Sequence, residues 1–157
     1  MGESRLDGDR APSSLAFLLS QVGIHASQRF AERIAALDLQ PPQFRVLNAI
    51  DAAEGQSQQA IGEAIGAPAS RMVAIVDELE GRGLVERRPH PGDRRVRALF
   101  LTQAGRRLLA RGRRIAAEHE EDLARELSAS QRQQLVALLR KLGAAQGLGP
   151  GVHPGLR

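Results

Sequence analysis

Apolar positions along this chain follow two different periods. From Leu15 to Leu37 they recur at three and four, as Leu15, Leu18, Leu19, Val22, Ala26, Phe30, Ile34 and Leu37. That spacing lines one face of an α-helix. Ser13 or Ser14 can cap this helix, which is predicted to run to about Ala36. Pro41 and Pro42 suit the first turn of a second helix. There Phe44, Leu47 and Ile50 form one stripe with Val46 beside it, and Gly55 is the stop. Ser57 can cap a short third helix carrying Ile61 and Ile65, and Gly66 breaks it. A fourth helix is predicted from about Pro68 to Arg82, with Met72, Ile75, Val76 and Leu79 on one face and Gly83 at its end.

The period then changes. LVERR (84–88), the turn-rich PHPGD (89–93) and the alternating VRALFL (96–101) predict a β-hairpin with a long tip. Thr102 caps a long fifth helix with Leu108, Gly112, Ile115, His119, Leu123 and Leu127 roughly in line. Ser128 and Gln131 make a capping-box pattern for a sixth, with Leu135, Leu138, Leu139 and Leu142 as its apolar face. The fold class is mainly α with one small hairpin. Residues 1–12 are expected to be a flexible arm, and the Gly- and Pro-rich residues 146–157 a disordered tail.

Two short helices joined by a tight turn containing glycine form a helix-turn-helix pattern, and the hairpin after them is a wing. Gly62 lets the fourth helix cross the third closely. A helix of the fourth one's size fits the DNA major groove, its N-terminal residues nearest the base edges. With its apolar stripe turned inward, Ala69, Ser70, Arg71, Val73, Ala74 and Asp77 are left outside. Arg71 is the long donor of that set, Ser70 can donate to phosphate or base, and Val73 can touch a thymine methyl. At the hairpin tip Arg94, Arg95 and Arg97 follow a Pro-Gly-Asp turn. An arginine on a stiff ribbon can enter the narrow, most negative minor groove. Asp93 is expected to orient Arg95 through a charge-assisted pair. Arg87 on the hairpin and Arg106 at the start of the fifth helix complete the candidate DNA-binding residues.

Charge supports a polyanionic partner. The net charge is +4, and the segment from Arg82 to Arg97 holds six arginines against Glu86 and Asp93. The 157 residues suffice for one domain with its own core. With four Phe and neither Trp nor Tyr, that core falls to Leu, Ile, Val and Ala. The absence of cysteine excludes disulfides, thiolate metal sites and cysteine redox sensing, and fits a reducing, cytoplasmic setting. The apolar run at 15–24 follows Glu3, Asp7 and Asp9 and is interrupted by Gln21, so it reads as a helix and not a signal peptide. No membrane partner and no cofactor are expected.

At this point the sequence resembles a known family. QFRVLNAI (43–50), GLVERRP (83–89) and DRRVRALFLT (93–102), followed by Gly105, look like the multiple-antibiotic-resistance regulator (MarR) family, with agreeing spacing over residues 41–109. The resemblance implies a homodimeric winged helix-turn-helix regulator. Asp93 and Arg95 would serve minor-groove contact, and the first, fifth and sixth helices the dimer interface. The implied division is a dimerisation region at 13–40 and 103–145 and a DNA-binding lobe at 41–102. Where the family often has Ser or Thr followed by Arg in the recognition helix, Val73 and Ala74 stand here.

The expected partners are double-stranded DNA and a second copy of the chain. The first, fifth and sixth helices carry more apolar surface than the small lobe can cover, and a two-fold pair would place two recognition helices about 34 Å apart on one DNA face. That geometry predicts a pseudo-palindromic operator, and the resemblance implies that a repressor or an activator reads it, here expected to be a repressor. Arg106, Arg107, Arg111, Arg113 and Arg114 are expected to face DNA and the later acidic run to face away. Many members of the family release DNA on binding small aromatic acids. Candidate lining residues for such an aromatic or phenolic effector are Phe17, Gln21, His25, Arg29, Phe44 and Asn48, with Phe17 and Phe44 also readable as core. Alternatives are a metal-responsive regulator using His25 and His119 with Glu118 or Asp122, and a winged helix that binds protein. No nucleophile elbow, phosphate-binding glycine loop or two-histidine zinc helix is present, so no enzymatic activity is expected.

Overall fold

The computed structural model describes residues 14–156. The expected flexible arm at 1–12 lies outside them. Helix α1 spans Leu15–Ile34 and runs into a short 3-10 turn at Ala35–Leu37. Helices α2 (Pro41–Ala52), α3 (Gln58–Ile65) and α4 (Ala69–Gly81) follow. Strands β1 (Val85–Pro89) and β2 (Arg97–Leu101) pair antiparallel, with Val85 opposite Leu101 and Pro89 opposite Arg97. Helices α5 (Gln103–Leu123) and α6 (Ala129–Ala145) close the order. Mainly helical with one hairpin, this is a winged helix-turn-helix.

The ends of the elements are set locally. Ser14, Ser57, Thr102 and Ser128 each accept a hydrogen bond from the backbone N–H three residues on. Each thereby satisfies a donor that the first helical turn cannot. At Ser128 the return half is also made, since Gln131 Oε1 accepts from the Ser128 N–H at 2.8 Å. Gly66 ends α3 with φ +68, a left-handed conformation that glycine adopts freely. Gly62 is buried under Met72, and a methyl added there would meet only ordinary contacts, so the crossing does not demand glycine itself.

One core lies between α2, α3, α4 and the hairpin. Val46, Leu47, Ile50, Ile61, Met72, Val76, Leu79, Val85 and Leu99 are essentially inaccessible there. Ile34 from α1 and Leu109 from α5 join it, so both helices are anchored to the lobe at one end. Gln43 is buried among these residues, and its Oε1 accepts from the Gln40 N–H at 2.8 Å, so the amide does not stay unsatisfied. The junction of hairpin and α5 is the tightest point. Thr102 N–H donates to the Leu84 carbonyl at 3.1 Å and its hydroxyl to the Gly83 carbonyl at 2.7 Å. A Cβ on Gly105 would overlap that Leu84 carbonyl oxygen.

Away from the lobe, apolar surface is uncovered. Leu15, Leu18, Leu19, Val22 and Ile24 of α1 are exposed, as are Leu135, Val136, Leu138, Leu139 and Leu142 of α6. No residue of α6 is buried. Phe17 is exposed too, which corrects its reading as core.

Residues 146–156, expected from composition to be disordered, instead fold back onto the lobe. The N–H groups of Gly147 and Leu148 donate to the Ala144 and Gly143 carbonyls, closing α6 with Gly147 at φ +71. A second left-handed turn at Gly151 (φ +79) and a 3-10 turn at Pro154–Leu156 follow. Val152 lies against Gly66, and Leu156 is 1% exposed. The glycines that suggested disorder supply the turns, and two apolar residues four apart supply the anchor.

Candidate nucleic-acid interface

Helix α4 buries Met72, Ile75, Val76 and Leu79 and turns Ser70, Arg71, Val73, Ala74 and Asp77 outward, the division expected from its stripe. The base of the wing is pinned beside it. Gly55 N–H donates to the Leu99 carbonyl and Leu99 N–H to the Gln56 carbonyl, each at 3.0 Å, and Ser57 bridges to Ala98. The start of α3 and the wing therefore share one frame.

The wing tip closes on itself. His90 N–H donates to the Val96 carbonyl and Val96 N–H to the Asp93 carbonyl, both at 2.9 Å. Asp93 Oδ1 accepts from the Arg95 N–H at 2.9 Å and from Arg95 Nε at 3.4 Å. The Arg95 side chain remains 90% exposed, and Arg94 and Arg97 are exposed beside it. The tip thus offers three cations to solvent, one of them steered by a carboxylate.

Two other candidates are differently employed. Arg87 is largely covered, paired with Glu80 and with Asp77 at 2.6 Å, and donates to Gln58 Oε1 from Nε and Nη2. It ties α4, β1 and α3 together and is not a free cation for phosphate. Arg106 pairs with Glu54 and, at 3.6 Å, with Asp51. Glu54 also accepts from the Leu101 N–H at 3.1 Å. Its bond to Arg106 holds the Glu54 carboxyl below the usual carboxylate range. Arg113 reaches α2 as well, bonding Asn48 Oδ1 at 2.9 Å and Asp51 at 2.7 Å. Of the basic run opening α5, Arg106 and Arg113 thus brace α5 against α2. Sequence reasoning could not find these partners because the carboxylates lie on a different helix and the loop after it.

The six candidate effector residues do not converge. His25 and Arg29 line a cleft of about 410 Å³ between α1 and α5, together with Arg33, His119, Asp122 and Arg125. Phe44 lies elsewhere, packed on Phe30 with ring centroids 5.6 Å apart, and Gly112 leaves room for its ring. Asn48 donates to the Phe44 carbonyl at 3.0 Å. Phe17 and Gln21 are exposed further along α1. Phe30, which the sequence reading left in the helical stripe, joins the two groups, since its ring also lies 5.6 Å from that of His119. Arg33 pairs with Asp122 and holds that carboxyl below its ordinary value. Although His25, His119 and Asp122 line one cleft, among the described residues no three His, Asp or Glu side chains are grouped to hold a metal ion. The metal-responsive alternative therefore lacks its donor set there.

Comparison with known proteins agrees with this geometry. Residues 37–96 match the family model described as the MarR family. Over 105 residues the chain is 33% identical to the transcriptional regulator HosA of Escherichia coli O157:H7, covering 67% of this chain and 78% of HosA. The chain belongs to the MarR family. It is a transcription regulator and not an enzyme. Among solved structures, the transcriptional repressor CouR bound to a 23-mer DNA duplex has a TM-score of 0.76 and 35% identity, over 83% of this chain and 92% of CouR. A cysteine-to-serine mutant of MarR from E. coli, complexed with operator DNA, has a TM-score of 0.73 and 25% identity, over 82% and 92%. Among the described residues of this MarR-family chain, no helix is long and apolar enough to cross a membrane.

Proposed function

We propose that this regulator is a repressor that binds a pseudo-palindromic duplex as a homodimer, with α4 in the major groove and Arg95 in the minor groove. One observation carries the reading: the 90% exposed Arg95 guanidinium stands on a closed ribbon, held by Asp93, on the frame that also fixes α4. A pre-aimed cation loses little rotamer freedom on entering a narrow groove. Arg94 and Arg97 add phosphate neutralisation beside it, and Ser70, Arg71 and Val73 offer donors and a methyl contact to base edges. The related CouR and MarR were both solved with DNA, which supports the assignment of partner. A chain with DNA as partner works in the compartment that holds the DNA, here the cytoplasm.

Dimerisation rests on the uncovered apolar faces of α1 and α6. A second copy would bury leucines that nothing among the described residues covers, and exposed patches of this kind mark protein interfaces. For an effector, the cleft with Arg29 and Arg125, beside the Arg33–Asp122 pair, offers guanidinium groups to the carboxylate or phosphate of an aromatic compound. CouR was also solved bound to p-coumaroyl-CoA, which supports a small-molecule effector. A winged helix that binds only protein would not need three exposed arginines at its tip.

The test is titration of purified protein against random duplex over a salt series, followed by selection of bound sequences from a random pool. Binding should fall steeply with salt as counterions are released, and the selected sequences should have two-fold symmetry. Failure to bind any duplex at low ionic strength refutes the reading.

A further inference from the structure

The segment after α6 occupies the recognition lobe itself. Arg45 Nη1 of α2 donates to the Gly151 carbonyl at 3.2 Å. Val152 fills the concavity over Gly66, in the turn between α3 and α4. Leu156 is buried in the lobe's core, and Arg71 Nη2 of α4 donates to the Gly155 carbonyl at 3.4 Å. Two apolar anchors and two arginine–carbonyl bonds thus hold one short segment across α2, the α3–α4 turn and α4.

We propose that residues 147–156 are a self-docked strap that competes with DNA for Arg71 and so restrains duplex binding. The proposal rests on α4 being the reading helix. A guanidinium recognises guanine or phosphate best through two parallel N–H bonds. Such a fork requires Arg71 to swing toward the duplex, and the bond to Gly155 holds it toward the strap. The strap also lies against the turn that leads into α4, whose first residues go deepest into the groove. Its other end is the C-terminus of α6, a helix with no buried residue of its own. His153, within the strap, has its pKa lowered by burial and then by Arg45, in keeping with a docked segment next to a cation.

The test uses the full chain with Val152→Ser and Leu156→Ser together, which leave charge unchanged. Val152→Ser alone serves as the milder variant if the pair fails to fold. Hydrogen exchange over 147–156 reads whether the strap has left, and fluorescence anisotropy reads affinity for random and selected duplexes. Strap release should raise exchange in that segment and tighten binding about two- to tenfold, the scale of one lost competing hydrogen bond. The gain should disappear when the same substitutions are made in an Arg71→Ala background. Unchanged exchange, unchanged or weaker binding on release, or a gain that persists without Arg71 each overturns the strap proposal. Absence of duplex binding by the wild type overturns the DNA-binding reading and the strap with it. Wild-type binding that strap release fails to improve overturns the strap alone.

Discussion

Asp93 holds Arg95 twice, its Oδ1 accepting from both the backbone N–H and the side-chain Nε of the same residue. The carboxylate thereby shapes the tip and aims the cation with one atom. Arg95→Ala should weaken binding to every duplex sequence by about tenfold, flatten the salt dependence by roughly one counterion, and leave the melting temperature unchanged. Asp93→Ala should give a smaller loss of affinity, because the arginine remains but is no longer aimed. Anisotropy titrations at several salt concentrations measure both.

Arg71 is the test of base reading. Arg71→Ala should cost about 1–3 kcal/mol against the selected operator and relax preference at one position in each half-site. A uniform loss over all sequences would assign Arg71 to phosphate.

Gly105 lies under the Leu84 carbonyl, a backbone group that cannot swing aside. Gly105→Ala should therefore destabilise the fold by about 1–3 kcal/mol, the usual scale of overpacking. Gly62→Ala should cost much less, because a methyl meets only ordinary contacts there. Chemical denaturation of the two variants side by side measures the difference.

Glu54 gives a pH dependence of known sign. Its folded pKa lies below the unfolded value because of its bond to Arg106. The stability it adds is present above the unfolded pKa, about 4.3, and is lost as pH falls through the folded one. Glu54→Gln keeps an acceptor for the Leu101 N–H but loses the charge. Wild type and variant should differ in urea midpoint near neutrality and converge in acid.

The exposed leucines of α6 predict the assembly. Leu138→Glu combined with Leu142→Glu should yield a monomer in sedimentation velocity at micromolar concentration, with helicity retained. Loss of the paired half-sites should reduce operator affinity far more than affinity for random duplex.

Much of this was legible because its causes are local. Each serine or threonine cap bonds three residues on, the stripe of α4 follows from helical periodicity, and Asp93 and Arg95 are two residues apart. The pairings of Arg106 and Arg113 were not legible because their partners are remote, Glu54 lying 52 residues from Arg106 and Asn48 65 from Arg113, while Arg87 meets Asp77 and Glu80 only across the turn from α4 to β1. A charge count cannot tell an arginine facing solvent from one neutralised by a distant carboxylate. Phe17 and Phe44 share a residue type, yet only Phe44 meets Phe30 and the gap left by Gly112. The tail was misjudged because composition reports how freely a segment moves alone, and Val152 and Leu156 owe their order to a surface it cannot describe.

The welded corner of Thr102, Leu84 and Gly105 has a mechanical consequence. With no slack between ribbon and helix, α5 acts as a lever whose short arm carries the arginine fingertip. A tilt imposed at the far end, where His119 and Asp122 stand, would reach the ribbon without a loop to absorb it.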